Sequence, residues 1–233
     1  MTVKHSQTIT CLKCKKKSRF DFYGSINTDL DPTLKQRVKN LDLFKFTCPH
    51  CGSEQFVAYS FLYHDMASKL MIYCCQNAEE VDKVRSLYAE DFTTATDEHG
   101  EECAIDTTGY RRRIVIGIDA LLEKIRIFEN NLDDRVIEIY KILLYGQMQP
   151  QLAALPGGDN IDGVFLDDGL DKSLSLVFIA DGQAIGSIPF AQEVYDIIRQ
   201  QYAPALEKHA KAEPVIDQDW AFDLLATVAK ENG

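Results

Sequence analysis

Four of the seven cysteines form two Cys-x-x-Cys pairs, which are the strongest chemical signal in the sequence. Each pair directs two thiolates towards one point, and two pairs together supply the four ligands of a tetrahedral metal site. Four thiolates leave no coordination position for water, so this spacing predicts a structural zinc ion rather than a catalytic one. The predicted ligands are Cys11, Cys14, Cys48 and Cys51.

The turns that hold the two pairs differ in their local chemistry. The second turn, Cys48-Pro49-His50-Cys51-Gly52, contains a proline that stiffens it and a glycine that adopts a positive φ without strain. In the first turn Lys15 occupies the position of that glycine, and we expect it to adopt a positive φ at a cost of about 1 kcal/mol. His50 lies inside the second turn, where it is poorly placed to replace a cysteine ligand.

Two alternatives to a zinc site concern the same cysteines. A redox-active pair usually begins a helix in a βαβ unit, whereas Leu12 and Lys13 lie between strand-like segments. Cysteines without any metal are the other alternative. The long interval between the pairs, residues 15–47, is no obstacle to zinc. Doubling a loop costs only about 0.6 kcal/mol, whereas a structural zinc ion contributes on the order of 10 kcal/mol.

Strands are predicted on both sides of the cysteines. Segments 7–27 and 43–63 are rich in Thr, Ile, Phe, Tyr and Val, partly at a spacing of two residues, which predicts antiparallel hairpins. A short helix is predicted between them, with Asp31 as its cap and Pro32 in its first position. Residues 69–75 predict a further strand.

Helices are predicted in the middle of the chain. Asn77 followed three residues later by Glu80 is typical of a helix start, and this helix extends to about residue 90. Apolar residues at helical spacing follow Asp119, and a second such series begins at Asp133 or Asp134. Two adjacent amphipathic helices predict a helical hairpin.

The C-terminal part begins with a segment rich in proline and glycine, which predicts a linker over residues 151–158. Apolar segments on both sides of Asp181-Gly182 predict a β-hairpin. We expect one helix to begin at Pro189 and a last one to be capped by Asp217 or Asp219.

These elements predict an α+β fold in three parts. Residues 1–150 form a zinc-binding domain, in which a zinc-ribbon-like antiparallel β module carries attached helices. Residues 151–158 form the linker. Residues 159–233 form a small region that consists of a β-hairpin and helices.

Composition indicates a soluble globular protein, with 45% hydrophobic and 26% charged residues. The sequence has no apolar run of the roughly 20 residues that cross a bilayer, and residues 1–10 lack the apolar stretch of a secretory signal. We therefore expect a cytoplasmic protein without a membrane segment. An odd number of cysteines, without an export signal, favours reduced thiols over disulfides.

Charge is distributed unevenly along the chain. The net charge is -11, but residues 1–60 contain ten Lys or Arg and five Asp or Glu. The acidic remainder argues against a protein that coats nucleic acid. A basic cluster beside the first cysteine pair is the exception, and it also offsets the negative charge of four thiolates. It consists of Lys13, Lys15, Lys16, Lys17 and Arg19.

Several segments, in this order and spacing, resemble the CpXC family of bacterial and archaeal proteins, named for its paired Cys-Pro-x-Cys motifs. The resemblance extends over roughly residues 7–145, and Leu12 departs from it where the family name implies proline. It implies a zinc-ribbon-like module with attached helices, and it implies no particular reaction. The segments are Ile9–Cys14, Asn27, Asp31-Pro32, Leu43–Gly52, Leu62–Met66, Leu121–Ile125 and Leu132–Arg135.

Our first functional hypothesis is a non-catalytic zinc-binding protein that acts through a protein partner, with the C-terminal region as the partner surface. The second is a nucleic-acid-binding zinc ribbon that contacts phosphates through Lys15, Lys16 and Lys17. In this second hypothesis the bases stack on aromatic residues of the same hairpin, which are Phe20, Phe22 and Tyr23.

The third hypothesis is an enzyme with a site near Tyr63, His64 and Asp65. A histidine beside a carboxylate can transfer protons, but adjacent residues usually point apart, so Asp65 need not orient His64. A turn that connects two strands is the simpler interpretation of this segment. We therefore expect no catalytic residue here and keep a binding role of Tyr63, His64 and Asp65 as the alternative.

Overall fold

The computed structural model describes residues 2–89, 94–96, 102–104, 107–169, 172–209 and 213–232. The chain forms two compact units, residues 1–121 and 122–233. Each unit contains helices and strands, so the predicted α+β class is confirmed.

The elements of the first unit are mostly short. Its strands are β1 (Val3–Thr10), β2 (Lys17–Asn27), β3 (Lys45–Thr47), β4 (Glu54–Phe56), β5 (Phe61–Asp65), β6 (Leu70–Cys75), β7 (Thr94–Thr96), β8 (Glu102–Ala104) and β9 (Arg111–Ile116). Its helices are α1 (Pro32–Lys39), α2 (Ala78–Ala89) and the start of α3 (Ile118–Glu129).

The second unit contains the rest of α3 and longer helices. After α3 its elements follow along the chain in the order α4 (Asp134–Leu152), β10 (Gly163–Asp168), β11 (Leu174–Ala180), β12 (Gln183–Pro189), α5 (Gln192–His209) and α6 (Gln218–Asn232). Among the described residues no helix is both long and apolar enough to cross a membrane.

A mixed sheet, in the order β1-β2-β5-β6-β9, forms the centre of the first unit. The predicted antiparallel hairpins around the cysteines are present as β1–β2 and β3–β4. However, β2 pairs with β5 in parallel, and β6 pairs with β9 in parallel. Parallel strands require a long crossover, and residues 28–60, with α1 and the second cysteine hairpin, form one between β2 and β5.

Aromatic rings connect the second cysteine hairpin to this sheet. The ring centroid of Phe44 lies 5.2 Å from that of Tyr59 and 5.7 Å from that of Phe61. Phe20 of β2 meets Phe46 of β3 edge to face, at 6.1 Å. Burial of such rings contributes apolar stabilisation and a preferred geometry, so the two cysteine turns are held by a common core.

Helix starts follow the predicted caps with one difference. Asn77 and Asp217 cap α2 and α6 through their side chains, and Asp133 caps α4. α1 begins at Pro32 as predicted, but the side chain of Asp31 makes no capping hydrogen bond.

The second unit contains an antiparallel sheet in the order β10-β11-β12. Asp181 and Gly182 have φ values of 49° and 68°, which confirms the predicted hairpin turn. The sequence does not predict β10, because its acidic residues resemble a loop. Val164 and Leu166 nevertheless alternate with more exposed residues and are buried, so β10 adds a third strand.

The prediction that Pro189 begins a helix is wrong. Pro189 is the last residue of β12 and pairs with Ser175, and the next amide, that of Phe190, donates to Leu174 O at 2.9 Å. This sheet ladder delays α5 until Gln192. α4 runs through Pro150 as far as Leu152. The domain division 1–150, 151–158 and 159–233 stays a prediction.

Candidate metal centre

The first cysteine pair lies in the turn between β1 and β2. The amide of Lys15 donates to Cys11 O at 2.9 Å, and the amide of Cys11 donates to Lys16 O at 3.0 Å. Lys15 has a φ of 60°, as predicted from its position after Cys14. Closure of this turn therefore places Lys15 in a strained left-handed conformation.

The second pair lies in the turn between β3 and β4 and closes in the same way. The amide of Gly52 donates to Cys48 O at 2.9 Å, and the amide of Cys48 donates to Ser53 O at 2.9 Å. Gly52 has a φ of 68°, which glycine adopts without a Cβ penalty. The two turns therefore share one hydrogen-bond pattern and differ in the residue at the left-handed position.

The two turns bring four sulfur atoms together. The Sγ atoms of Cys11, Cys14, Cys48 and Cys51 all lie within 4.8 Å of one another. Two of the distances, Cys11–Cys51 and Cys14–Cys48, are 3.7 Å. A tetrahedron with metal–sulfur bonds of about 2.3 Å has edges of about 3.8 Å. These four cysteines could therefore hold a metal ion, and His50 is exposed outside the group.

The thiols respond unequally to their surroundings. The amide of Cys14, with that of Lys13, lowers the pKa of Cys11 to about 6, against the opposing effect of burial. The amide of Lys16 also favours the thiolate of Cys14, but burial and the neighbouring thiols outweigh it and raise the pKa of Cys14 to about 11. Ionisation of Cys14 is therefore disfavoured without a cation beside the sulfurs, and a metal ion bound by thiolates would supply one.

Contacts outside the thiols fix the two turns relative to each other. The side chain of Gln55 on β4 accepts a hydrogen bond from the amide of Leu12 in the first turn, at 3.1 Å. The edge-to-face pair of Phe20 and Phe46 lies on the strands that continue from the turns. The sulfur positions thus depend on both hairpins together.

The family model described as CpXC protein matches residues 9–141, more than half of the chain, including all four cysteines. The chain belongs to the CpXC family. No curated protein and no solved structure matches it. The resemblance identified from the sequence is confirmed, and residues 142–233 lie beyond the match.

The departure of Leu12 from the CpXC motif has no visible effect on the first turn. Leu12 is 72% exposed at the tip, and the turn closes with the same two backbone hydrogen bonds as the proline-containing one. The two CpXC turns therefore differ more at the left-handed position, which is Lys15 in the first turn and Gly52 in the second.

Basic side chains surround the CpXC centre. Lys13, Lys15, Lys16 and Lys17 are all exposed. Arg19 forms an exposed ion pair with Asp21 at 3.0 Å. The lysine part of the nucleic-acid hypothesis therefore remains open as a prediction.

The aromatic part of that hypothesis is wrong for two of its three residues. Phe20 and Tyr23 are buried in the core, and their rings are not presented to solvent. Phe22 packs against His5 and Tyr59, with ring centroids at 5.4 and 5.6 Å. These rings stabilise the hairpin, because the alternation along β2 directs them to the sheet's packed faces.

Tyr63, His64 and Asp65 make separate contacts. Tyr63 is fully buried. Asp65 accepts hydrogen bonds from Lys35 Nζ at 3.0 Å and from the amide of Ser68 at 2.9 Å. Although burial opposes ionisation, these two donors lower the pKa of Asp65. Asp65 therefore stabilises the turn after β5, and its role as a binding residue stays a prediction.

His64 lies on the other face of β5. Its Nε2 lies 3.2 Å from the hydroxyl oxygen of Tyr110, and burial lowers the pKa of His64. The turn itself is held by Asp29, whose carboxylate accepts from the amide of Met66 at 2.6 Å. This arrangement supports the simpler interpretation, a turn connecting two strands.

Sequence reasoning missed a second group of functional interest, which we call the ion cluster. It consists of five charged side chains on α3 and α4, each at most 4% exposed. All five lie inside the CpXC match. They are Glu123, Lys124, Asp134, Glu138 and Lys141.

Two ammonium groups of the ion cluster hold three carboxylates. Lys124 Nζ lies 2.9 Å from Glu138 Oε1 and 3.2 Å from Asp134 Oδ2. Lys141 Nζ lies 2.9 Å from Glu123 Oε1 and 2.8 Å from Glu138 Oε2. Glu138 therefore bridges both lysines.

One signal in the sequence could have revealed the ion cluster. Glu138 is surrounded by Val136, Ile137, Ile139 and Tyr140, which occupy several sides of the helix and are all buried. A helix that is apolar all round is buried. A charged residue inside such a run is therefore expected to be buried and paired.

Proposed function

We propose that the chain is a non-catalytic zinc-binding module whose metal stabilises the paired cysteine turns, and that it acts through a protein partner. The supporting observation is the convergence of four thiols at tetrahedral spacing. Four thiolates favour zinc among the common structural ions, and they leave no open position for a substrate. Reduced thiols are required, which fits a reducing compartment such as the cytoplasm.

Elemental analysis of the purified full chain tests the metal part. We expect one zinc per chain, lost in each single substitution of Cys11, Cys14, Cys48 or Cys51 by serine. The matched control is His50→Ala, an exposed change inside the second turn that should retain the metal. Iron in place of zinc, or zinc retained by the cysteine variants, would contradict the proposal.

The partner surface is proposed on α5 and α6. Val194, Ile197 and Phe222 are exposed there, and Ile197 and Phe222 are more than 60% exposed. Exposed apolar side chains supply the contacts that bury area in protein interfaces. These exposed apolar side chains support a protein partner more directly than the negative net charge of the chain does.

Affinity capture with the wild type and with an Ile197→Glu, Phe222→Glu variant tests this part. We expect a stoichiometric protein that the wild type retains and the variant loses. Gln200→Glu, an exposed change on the same helix, is the control and should retain it. Equal capture of that protein by the wild type, the double variant and the control would contradict the proposal that it binds at this surface.

A second candidate function rests on the exposed lysines of the first turn. Lys15, Lys16 and Lys17 could contact phosphates of a nucleic acid, with affinity that falls steeply as salt increases. Substitution of all three by glutamate should abolish retention of RNA or DNA at low salt. If the wild type retains neither, this candidate is removed.

A further inference from the structure

The ion cluster contains one carboxylate more than it has ammonium groups. Glu138 contacts both lysines. Asp134 is the first residue of α4, where the helix N-terminus stabilises negative charge. Glu123 lies in the middle of α3 and shares Lys141 with Glu138, while the amide of Leu166 donates to it. Unlike Glu138 it does not contact both lysines, and unlike Asp134 it has no helix N-terminus beside it.

We propose that the ion cluster is a proton-sensitive lock, which takes up one proton at Glu123 as pH falls and is tighter in that protonated form. Uptake leaves two carboxylates with two ammonium groups, so that the buried charges balance. An unbalanced buried charge is costly, because it has left water without full compensation. When Glu123 ionises at higher pH, that cost returns.

The groups that face Glu123 come from three elements. α4 contributes the Lys141 ammonium and the Glu138 carboxylate, and α3 contributes Lys124. β10 contributes the amide of Leu166, which donates to Glu123 Oε1 at 2.6 Å. Burial raises the pKa of Glu123, and Glu138 adds to the rise, although both lysines and the amide oppose it.

The lock joins the helices to the open edge of β10. In addition to the bond from Leu166 to Glu123, Arg126 on α3 donates to Leu166 O at 2.9 Å and pairs with Asp167 at 2.7 Å. Arg126 also pairs with Asp168. Backbone groups at a strand edge need such partners when they are covered. Protonation of Glu123 therefore acts directly on a contact between helix and sheet.

The direction of the pH effect follows from linkage. The folded chain holds the proton of Glu123 more tightly than the unfolded chain does. The stability that this proton gives to the folded chain is therefore complete below the unfolded pKa of about 4.3. It is lost as pH rises through the higher folded pKa. Burial opposes ionisation of Glu138 as well, but Lys124 and Lys141 outweigh burial and lower its pKa. Stabilisation by Glu138 is therefore complete above about 4.3 and lost below it.

Urea unfolding of the full chain, wild type against Glu123→Gln, tests the lock. Trp220 in α6 is the single tryptophan and lies in the second unit, so its fluorescence reports on that unit. The glutamine has similar size and can accept from Leu166. From the unfolded pKa of about 4.3 up to the raised folded pKa, the unfolding constant of the wild type relative to the variant should rise with pH, by up to tenfold per unit.

The matched control is Glu207→Gln, an exposed change on α5 in the same unit, for which the same ratio should stay constant with pH. A purely structural role of Glu123 predicts a constant ratio for Glu123→Gln also, and that result would overturn the proposal.

A measurement on the wild type keeps the proposal testable if Glu123→Gln fails to fold. The carboxyl carbon assigned to Glu123 is followed by NMR as pH changes. A midpoint above the ordinary glutamate range of about 4 to 5 supports the lock. A midpoint within or below that range overturns it.

Discussion

The metal centre and the ion cluster both concentrate acidic groups, but they compensate the charge differently. The four thiols include no cation. Backbone amides lower the pKa of Cys11 to about 6, whereas burial and the neighbouring thiols raise that of Cys14 to about 11. The ion cluster contains its own cations, Lys124 and Lys141, within 3.2 Å of its carboxylates. The cysteine group could therefore take its compensating cation from solution, whereas the proposed change at the ion cluster involves only a proton.

From this difference we expect the two units to depend on different components for their stability. The small hairpins β1–β2 and β3–β4 end in the cysteine turns, and in our proposal a metal ion stabilises those turns. The helices α3 and α4 carry all members of the ion cluster themselves. Substitutions in the two groups should consequently differ in size and in what rescues them.

Loss of a thiol should have the largest effect. Cys48→Ser removes a buried thiol of the proposed zinc site, and a structural zinc ion contributes on the order of 10 kcal/mol to folding. We expect the cysteine hairpins to unfold, which hydrogen exchange followed by mass spectrometry detects as lost protection in peptides from β1 to β4. Added zinc should not restore it.

His50→Ala serves as the control for that loss, because His50 lies in the same turn but is exposed. Its exchange pattern should match that of the wild type. Normal protection of β1 to β4 in Cys48→Ser would show that the aromatic core, rather than a metal, holds the hairpins.

The contrast also explains what the sequence could predict. Metal ligands in a turn are separated by two residues, so Cys48 and Cys51 specify their own geometry, and the left-handed Lys15 follows from the same local reasoning. Lys141 and Glu123 are 18 residues apart on different helices, so their contact depends on how α3 and α4 pack. Local patterns do not contain that information.

Sheet order was unpredictable for the same reason. The parallel pairs β2–β5 and β6–β9 are separated by crossovers, and neither crossover has a turn motif that identifies its partner strand. β10 was missed because its exposed aspartates outweigh the alternation of Val164 and Leu166. The family match extends to residue 141, which covers every cation of the ion cluster.

Breaking the ion cluster should have the next largest effect. Lys141→Met leaves Glu123 and Glu138 buried with one lysine, and removal of one partner from a buried pair typically costs about 3–5 kcal/mol. Urea unfolding monitored by Trp220 fluorescence measures this loss. A change below about 1 kcal/mol, the range of surface pairs, would mean that the cluster is not a stabilising unit.

Lys208→Met is the matched control for the ion cluster. Lys208 pairs with Glu231 at 2.6 Å, but the two side chains are 62% and 45% exposed. Solvent screens such a pair, and its removal should change the free energy of unfolding by less than about 1 kcal/mol. The same fluorescence assay compares the two lysines directly.

Within the metal centre, the left-handed positions allow a finer comparison. Gly52→Ala should destabilise the metal-bound first unit by about 1 kcal/mol, because a Cβ is introduced at a φ of 68°. Apart from the chain neighbours of Gly52, no heavy atom of the described residues lies within 4 Å of that Cβ, so backbone strain is the whole expected effect. Hydrogen exchange of β3 and β4 with saturating metal measures it, and an unchanged rate would contradict the strain argument.

Lys15→Gly should have the smallest effect and the opposite sign. It removes the strain of a lysine at a φ of 60°, but glycine also gives the unfolded chain more freedom, so we expect a net gain of at most about 1 kcal/mol. Lys13→Gly removes the same charge without relieving a positive φ and should give no gain. If both variants slow exchange of β1 and β2 equally, the gain comes from reduced positive charge beside the metal centre. Relief of strain at Lys15 would then contribute nothing, which would contradict the argument from backbone angles.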